Sequence, residues 1–103
     1  MYISGMAQIE FEWDPRKART NARKHGVSFD EASTAFFDEE ALVIEDPEHS
    51  EDEDRFVLLG LSSAVRLLVV VHCFRGADDV IRIISARRAT PSEAGQYEAR
   101  LKR

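Results

Sequence analysis

The chain switches between two hydrophobic periods, and the switches mark its elements. Ile9, Phe11 and Trp13 alternate with Glu10, Glu12 and Asp14, the period of two expected of a half-buried strand, whose successive side chains point to opposite faces. The run ends at Asp14-Pro15, an N-cap residue followed by proline at the first helical position, and a helix is predicted from there to a C-cap at Gly26. At about 100° per residue, Ala18, Ala22 and His25 share one face of that helix, Arg16, Arg19 and Arg23 a second, and Lys17 and Lys24 a third, so the inward face is thin and the outward faces are strongly basic. Ser28-Phe29-Asp30-Glu31 forms a capping box, and Phe29, Ala32 and Phe36 fall on one face, so a second helix should run to about Phe37.

Leu42 to Ile44 is a short apolar run suited to a strand, and Asp46-Pro47 opens a polar loop through Asp54. Phe56 to Leu61, Leu67 to Phe74 and Val80 to Ala86 are β-rich runs separated by Ser62-Ser63-Ala64 and Gly76-Ala77-Asp78-Asp79. They read as an antiparallel meander, with Leu67 to Val71 too continuously apolar for an exposed edge. Thr90-Pro91-Ser92-Glu93 combines an N-cap, a proline and a capping-box glutamate, and Ala94, Tyr97 and Leu101 give a terminal helix its apolar stripe. The predicted fold is α+β, an antiparallel sheet with packed helices in the order β-α-α-β-β-β-β-α.

A length of 103 residues suits a single domain, expected over residues 9–103 with 1–8 as an N-terminal extension and Met6 as a second candidate start. The single cysteine, Cys73, lies in an apolar run and is expected to be buried and unreactive, which suits a reducing cytoplasm. No run approaches the roughly 18 apolar residues of a membrane span. The net charge is −5, but it is unevenly placed. Residues 38–54 carry ten acidic side chains and no Lys or Arg; residues 15–26 carry five basic and no acidic ones; residues 80–103 carry six basic against two acidic. A basic site on an acidic body is therefore possible, and the acidic stretch is either a solvated loop or a contact surface for a basic partner.

The histidines, His25, His49 and His72, are far apart with no matching ligands nearby, and Glu51-Asp52-Glu53-Asp54 lacks the glycine and spacing of a calcium loop. Neither a metal nor a cofactor is expected, and glycine-rich phosphate loops and nucleophile elbows are missing. Basic side chains remain as the chemical resource. RNA carries its own nucleophile in the 2′-hydroxyl, so cleavage needs only orientation, stabilisation of the charged transition state and proton transfer. Arginine and lysine suit the middle task.

If Arg75 pairs with Val80 across the last hairpin, Arg87 falls opposite Leu68 on the face carrying Arg66 and His72, with Ser85 beside it. Arg82 then shares the other face with Cys73, Arg75 and Arg88, and the two faces cannot serve one pocket unless a bulge intervenes. Arg87 is the preferred catalytic residue on this reading, with Arg82 and Arg88 as structural or partner contacts. His72, Tyr97 and Trp13 read as core, and His25 as a helix-end packing residue or a base.

The chain resembles the BrnT toxins of bacterial type II toxin–antitoxin pairs. The resemblance rests on Phe11-Glu12-Trp13-Asp14-Pro15, Lys24-His25-Gly26-Val27-Ser28-Phe29, Glu31-Ala32, Phe36-Phe37-Asp38, Asp46-Pro47-Glu48-His49-Ser50, Glu53-Asp54-Arg55-Phe56 and the run Ile81 to Thr90. It implies a RelE-like ribonuclease fold, RNA cleavage that arrests translation, and neutralisation by a BrnA-type antitoxin with a ribbon-helix-helix part. Through that antitoxin the pair would bind operator DNA and repress its own operon. By this resemblance Lys24, His25, Arg87 and Arg55 are the expected catalytic residues, with His25 and Glu53 as candidate proton acceptors. Arg66, Arg82 and Arg88 are the expected RNA-binding residues. The competing expectation is a non-catalytic module that only docks the antitoxin as co-repressor; direct DNA binding has no helix-turn-helix spacing to support it.

Overall fold

The computed structural model describes residues 9–46, 55–76 and 79–102. The extension 1–8 and the loop 47–54, with His49 and Glu53, lie outside the described residues. The elements are β1 (Glu10–Glu12), α1 (Pro15–His25), α2 (Phe29–Thr34), a 3-10 turn (Ala35–Phe37), β2 (Leu42–Glu45), β3 (Phe56–Leu61), β4 (Leu67–Arg75), β5 (Val80–Arg88) and α3 (Pro91–Leu101). No helix among the described residues is long and apolar enough to cross a membrane.

The caps follow the sequence closely. Asp14 accepts a bond from Arg16 N–H at 2.8 Å, Pro15 starts α1, and Gly26 ends it in the left-handed conformation at φ 69°, where a side chain would be strained. Ser28 caps α2. That helix tightens into the 3-10 turn after Thr34, where the Ser33 and Thr34 hydroxyls donate to the carbonyls of Asp30 and Glu31 and compete with continued α-helix. Both bonds of the Thr90–Glu93 capping box are made.

The sheet order is β1-β5-β4-β3-β2. β2, β3, β4 and β5 form the expected antiparallel meander, but β1 pairs with β5 in parallel, Glu10 to Glu12 beside Val80 to Arg82. The sheet is therefore mixed rather than antiparallel throughout. A hairpin forces neighbouring strands to oppose each other, whereas β1 reaches β5 through two helices and the whole meander, which imposes no such direction.

Two layers of helix enclose the sheet. On one face Val27, Phe29, Ala32 and Ala35 pack on Leu58, Leu68, Val70, Ile83 and Ala86; on the other, Tyr97 of α3 packs with Leu59 and Val69. Cys73, His72 and Tyr97 are buried, and Trp13 stacks edge-on against Phe29. His72 lies against Phe36, Phe56 and Phe74, and burial holds its pKa below the ordinary value.

A single irregularity decides which side chains share a face. Arg75 pairs with Val80 as expected, and Cys73 with Arg82, but beyond His72–Ile83 the next pair is Val71–Ser85, so Ile84 is an inserted residue. This bulge reverses the alternation for the rest of β5. Arg87 consequently lies opposite Val69 on the α3 face and Arg88 opposite Leu68 on the α1–α2 face. The expected grouping of Arg87 with His72 and of Arg88 with Arg82 is thus exchanged: Arg82, Ser85 and Arg87 share the α3 face, and Arg88 shares the other with His72.

Candidate functional site

β1 covers only the first three residues of β5, and past Arg82 the border of the sheet is closed by α1 instead. The closing residue is Asn21. Its side-chain Nδ2 donates to Ala86 C=O at 2.8 Å and to Val27 C=O at 3.0 Å, while Oδ1 accepts from Ala86 N–H at 3.1 Å. A carboxamide presents the same donor and acceptor as a peptide group, so Asn21 pairs with the strand as a neighbouring strand would. It is 6% exposed.

Docking α1 through Asn21 rotates the helix from the expected orientation. Ala22 is exposed, and Asn21 takes its place on the inward face beside half-buried His25 and Ala18, which packs against the core. Lys17 and Lys24 are exposed as expected, and they also flank the strand. An open groove of about 310 Å³ runs between helix and strand, lined by Arg16, Lys17, Lys24 and His25 on one side and by Ile84 and Ser85 at the bulge. No carboxylate lines it. Among the described residues none of its three cationic side chains forms an ion pair. Asp14 accepts the Arg16 backbone N–H at the helix start, and the nearby Arg16 and Lys17 charges help to hold its carboxyl below the usual range.

The other expected site residues have distinct surroundings. Arg66 makes a two-point contact with Glu31 and donates to Gly26 C=O at 3.0 Å, tying the start of β4 to the turn that follows His25. Glu31 also accepts from the Ser62 hydroxyl at 2.7 Å, and its carboxyl is held low chiefly by Arg66. Arg88 is exposed on the same face, and its charge adds to the depression at Glu31. Arg87 is engaged elsewhere: its two terminal nitrogens each bond a different Glu93 oxygen at 2.9 Å, and Nη1 also donates to Arg88 C=O. The Arg87 guanidinium pulls Glu93 down to about 2. Arg82 pairs with Glu12 of β1 at 2.9 Å, and Arg55 precedes β3, where its carbonyl accepts from Asp46 N–H.

The fold thus gathers Lys24, His25, Arg66 and Arg88 around the end of α1. It leaves Arg87 on the reverse face, Arg82 beside β1 and Arg55 at the start of β3. Asn21 and the groove cations Arg16 and Lys17 were missed as a group, because the helix was oriented by its alanines. The signal that could have found Asn21 is its low helix propensity in the middle of a short helix, where such a residue calls for a tertiary reason. No group of three or more potential metal ligands occurs among the described residues.

No curated protein matches the sequence. Among solved structures, the 1.1 Å crystal structure of the Brucella abortus ribonuclease toxin BrnT is similar in fold, with a TM-score of 0.61 and 24% identity over 80% of this chain and 97% of that one. A family model described as "Ribonuclease toxin, BrnT, of type II toxin-antitoxin system" matches residues 13–93, a span that includes α1, the bulged strand and the cap of α3. The chain belongs to the BrnT family of ribonuclease toxins from type II toxin–antitoxin systems.

Proposed function

We propose that this chain is a metal-independent endoribonuclease whose groove between α1 and β5 holds the RNA backbone. The observation that carries the reading is the set of cations, Arg16, Lys17 and Lys24, that form no ion pair among the described residues and line one groove with no carboxylate in its lining, in a chain of net charge −5. Asp14 feels the Arg16 and Lys17 charges but bonds neither side chain, so the three keep donors available for phosphate. Lys24 then stabilises the scissile phosphate, and His25 accepts the proton of the attacking 2′-hydroxyl. The new bond joins that oxygen to phosphorus as the bond from phosphorus to the 5′-oxygen breaks, and the departing 5′-oxygen takes a proton from water. Arg88 and the start of α1 contact flanking phosphates, and Arg66 holds the turn after His25 in place. Arg87, Arg82 and Arg55 stand apart from the groove and act on outlying backbone or on a partner. The same reading includes a RelE-like fold, translation arrest, neutralisation by a BrnA-type antitoxin, and joint repression through that antitoxin's contact with operator DNA.

The test is RNA cleavage by purified protein in excess chelator. Wild type should remain active, Lys24→Ala should lose on the order of a hundredfold or more, and Arg87→Ala should lose less than about tenfold, as expected for a residue held by Glu93 outside the groove. Intact RNA with wild-type protein, or full activity in Lys24→Ala, would sink the proposal. A non-catalytic co-repressor is the second reading, favoured by the commitment of Arg66, Arg82 and Arg87 to internal carboxylates. It predicts no toxicity when the protein is expressed without its antitoxin.

A further inference from the structure

The border of the sheet farthest from the groove is β2, which pairs only with β3 among the described residues. Asp46 N–H donates to Arg55 C=O at 2.8 Å, and in an antiparallel ladder bonded and non-bonded pairs alternate. Leu42 and Ile44 therefore bond to β3, whereas Val43 and Glu45 turn their N–H and C=O groups outward. Exposed edges are commonly blunted by proline, lysine or a bulge, and the run Leu42–Glu45 has none of these. Instead it presents apolar side chains on both faces, Val43 at 52% and Ile44 at 61% exposure. Beside Ile44 a cleft of about 100 Å³ opens against α3, with Leu42, Val57, Leu59 and Val69 as its apolar lining and Gln96 at its side.

Charge selects what can dock there. Glu39, Glu40 and Glu45 are exposed around the strand, in a stretch of sequence with no Lys or Arg from residue 38 to 54, and outnumber Arg100 of α3, whose Nε donates to Glu40 C=O at 2.9 Å. We infer that the open edge of β2 is a docking strand for an extended segment of the antitoxin, one with alternating apolar residues and with lysine or arginine beside them, added as a further strand of the sheet. Backbone bonds to Val43 and Glu45 hold the segment, alternate side chains enter the α3 cleft, and the flanking carboxylates engage its cations. The same segment is repelled by Arg16, Lys17 and Lys24, and RNA is repelled by the acidic border, so the two ligands sort to opposite edges. The inference rests on the proposed function only in naming an antitoxin as the source of the segment.

Val43→Pro tests the edge directly. It removes an outward N–H but none of the bonds to β3, and proline is tolerated on edge strands. Ile44→Lys adds a repulsive charge on the cleft side. Both proteins, titrated with the separately purified product of the adjacent antitoxin gene, should bind about tenfold or more weakly than wild type, while Lys24→Ala binds normally. Hydrogen exchange on wild type should show the Val43 and Glu45 amides open in the free protein and protected in the complex, which decides the matter if a variant fails to fold. Unchanged affinity in both variants would overturn the inference. So would amides already protected in the free protein, whether by another part of this chain or by a second copy detected as a dimer in sedimentation. Normal docking in both edge variants alongside lost cleavage in Lys24→Ala would reject the docking edge alone; weakened docking alongside full cleavage in Lys24→Ala would reject the ribonuclease alone.

Discussion

Beyond β1, the outward N–H and C=O of Ala86 on β5 are taken by the amide of Asn21, and the helix carrying that residue lines the border with lysine and arginine. On β2, at the other side of the same sheet, the outward groups at Val43 and Glu45 meet no strand or capping side chain among the described residues, and exposed Val43, Ile44, Glu39, Glu40 and Glu45 surround them. An open edge invites pairing with another chain. The β5 border removes that invitation by substituting a side chain for a strand, and because the substitute belongs to a basic helix, closing the edge also assembles a cationic groove. The β2 border keeps the invitation. One sheet thereby separates an edge suited to phosphate from an edge suited to a polypeptide, which is how a chain of net charge −5 can still carry a cationic groove.

The comparison breaks most visibly at Asn21. Asn21→Leu preserves size but leaves Ala86 N–H, Ala86 C=O and Val27 C=O without their present partner in a buried place. Unsatisfied buried polar groups cost about 1–3 kcal/mol each before relaxation, so the variant should lose about 3 kcal/mol in denaturant unfolding. It should also lose cleavage under conditions where it remains folded, because Lys24 and His25 no longer hold their place against β5. Stability within about 0.5 kcal/mol of wild type would mean that α1 is docked by something other than this amide.

A middle-sized effect concerns which arginine of β5 belongs to the groove. Arg87 bonds both oxygens of Glu93, whose pKa is drawn down to about 2. For a carboxyl with a depressed folded value, the stabilisation is complete above its unfolded value near 4.5 and is lost as pH falls through the folded value. Both side chains are partly exposed, so after solvent screening the contribution is on the order of 1 kcal/mol. Wild type should therefore lose about that much more stability than Glu93→Gln between pH 5 and pH 2. Asp14, Glu31 and Asp38 also have lowered values but are common to both proteins and cancel. Parallel pH profiles would return Arg87 to the pool of available cations.

These edges were not equally legible in the sequence. Caps and periods are local, and Asp14-Pro15, Gly26, Ser28 and Thr90 marked helix ends that the fold keeps. Register is not local. The insertion at Ile84 falls in the doublet Ile83-Ile84, between Arg82 and Ser85, where the alternation does not say which residue is extra, and it alone moves Arg87 to the α3 face. The parallel pairing of β1 was hidden for a related reason, since its partner lies some seventy residues away. Lys24 and His25 are picked out by the resemblance; helical periodicity turns Lys24 outward, where it is exposed, but does not show that it borders the groove. That gap and the omission of Asn21 have one cause: α1 is held against the sheet by hydrogen bonds as well as by apolar contact, and a hydrophobic pattern cannot register an inward amide.

The smallest effect offers the sharpest contrast between the edges. Ile44 is 61% exposed and lies on the side of β2 facing the α3 cleft. Ile44→Thr keeps the β-branched shape that suits a strand, removes little buried surface and leaves the backbone bonds to β3 untouched. A surface change of this kind falls within about ±0.5 kcal/mol, so unfolding of the free protein should scarcely move, although Ile44 is among the larger hydrophobic side chains of the molecule. If Ile44 exists for this chain's own stability, the same substitution should instead cost about 1 kcal/mol or more. A near-zero result beside a loss of about 3 kcal/mol at Asn21 would separate the two borders by what they serve: a polar residue holding this fold together on one side, and an apolar residue that this fold does not need on the other.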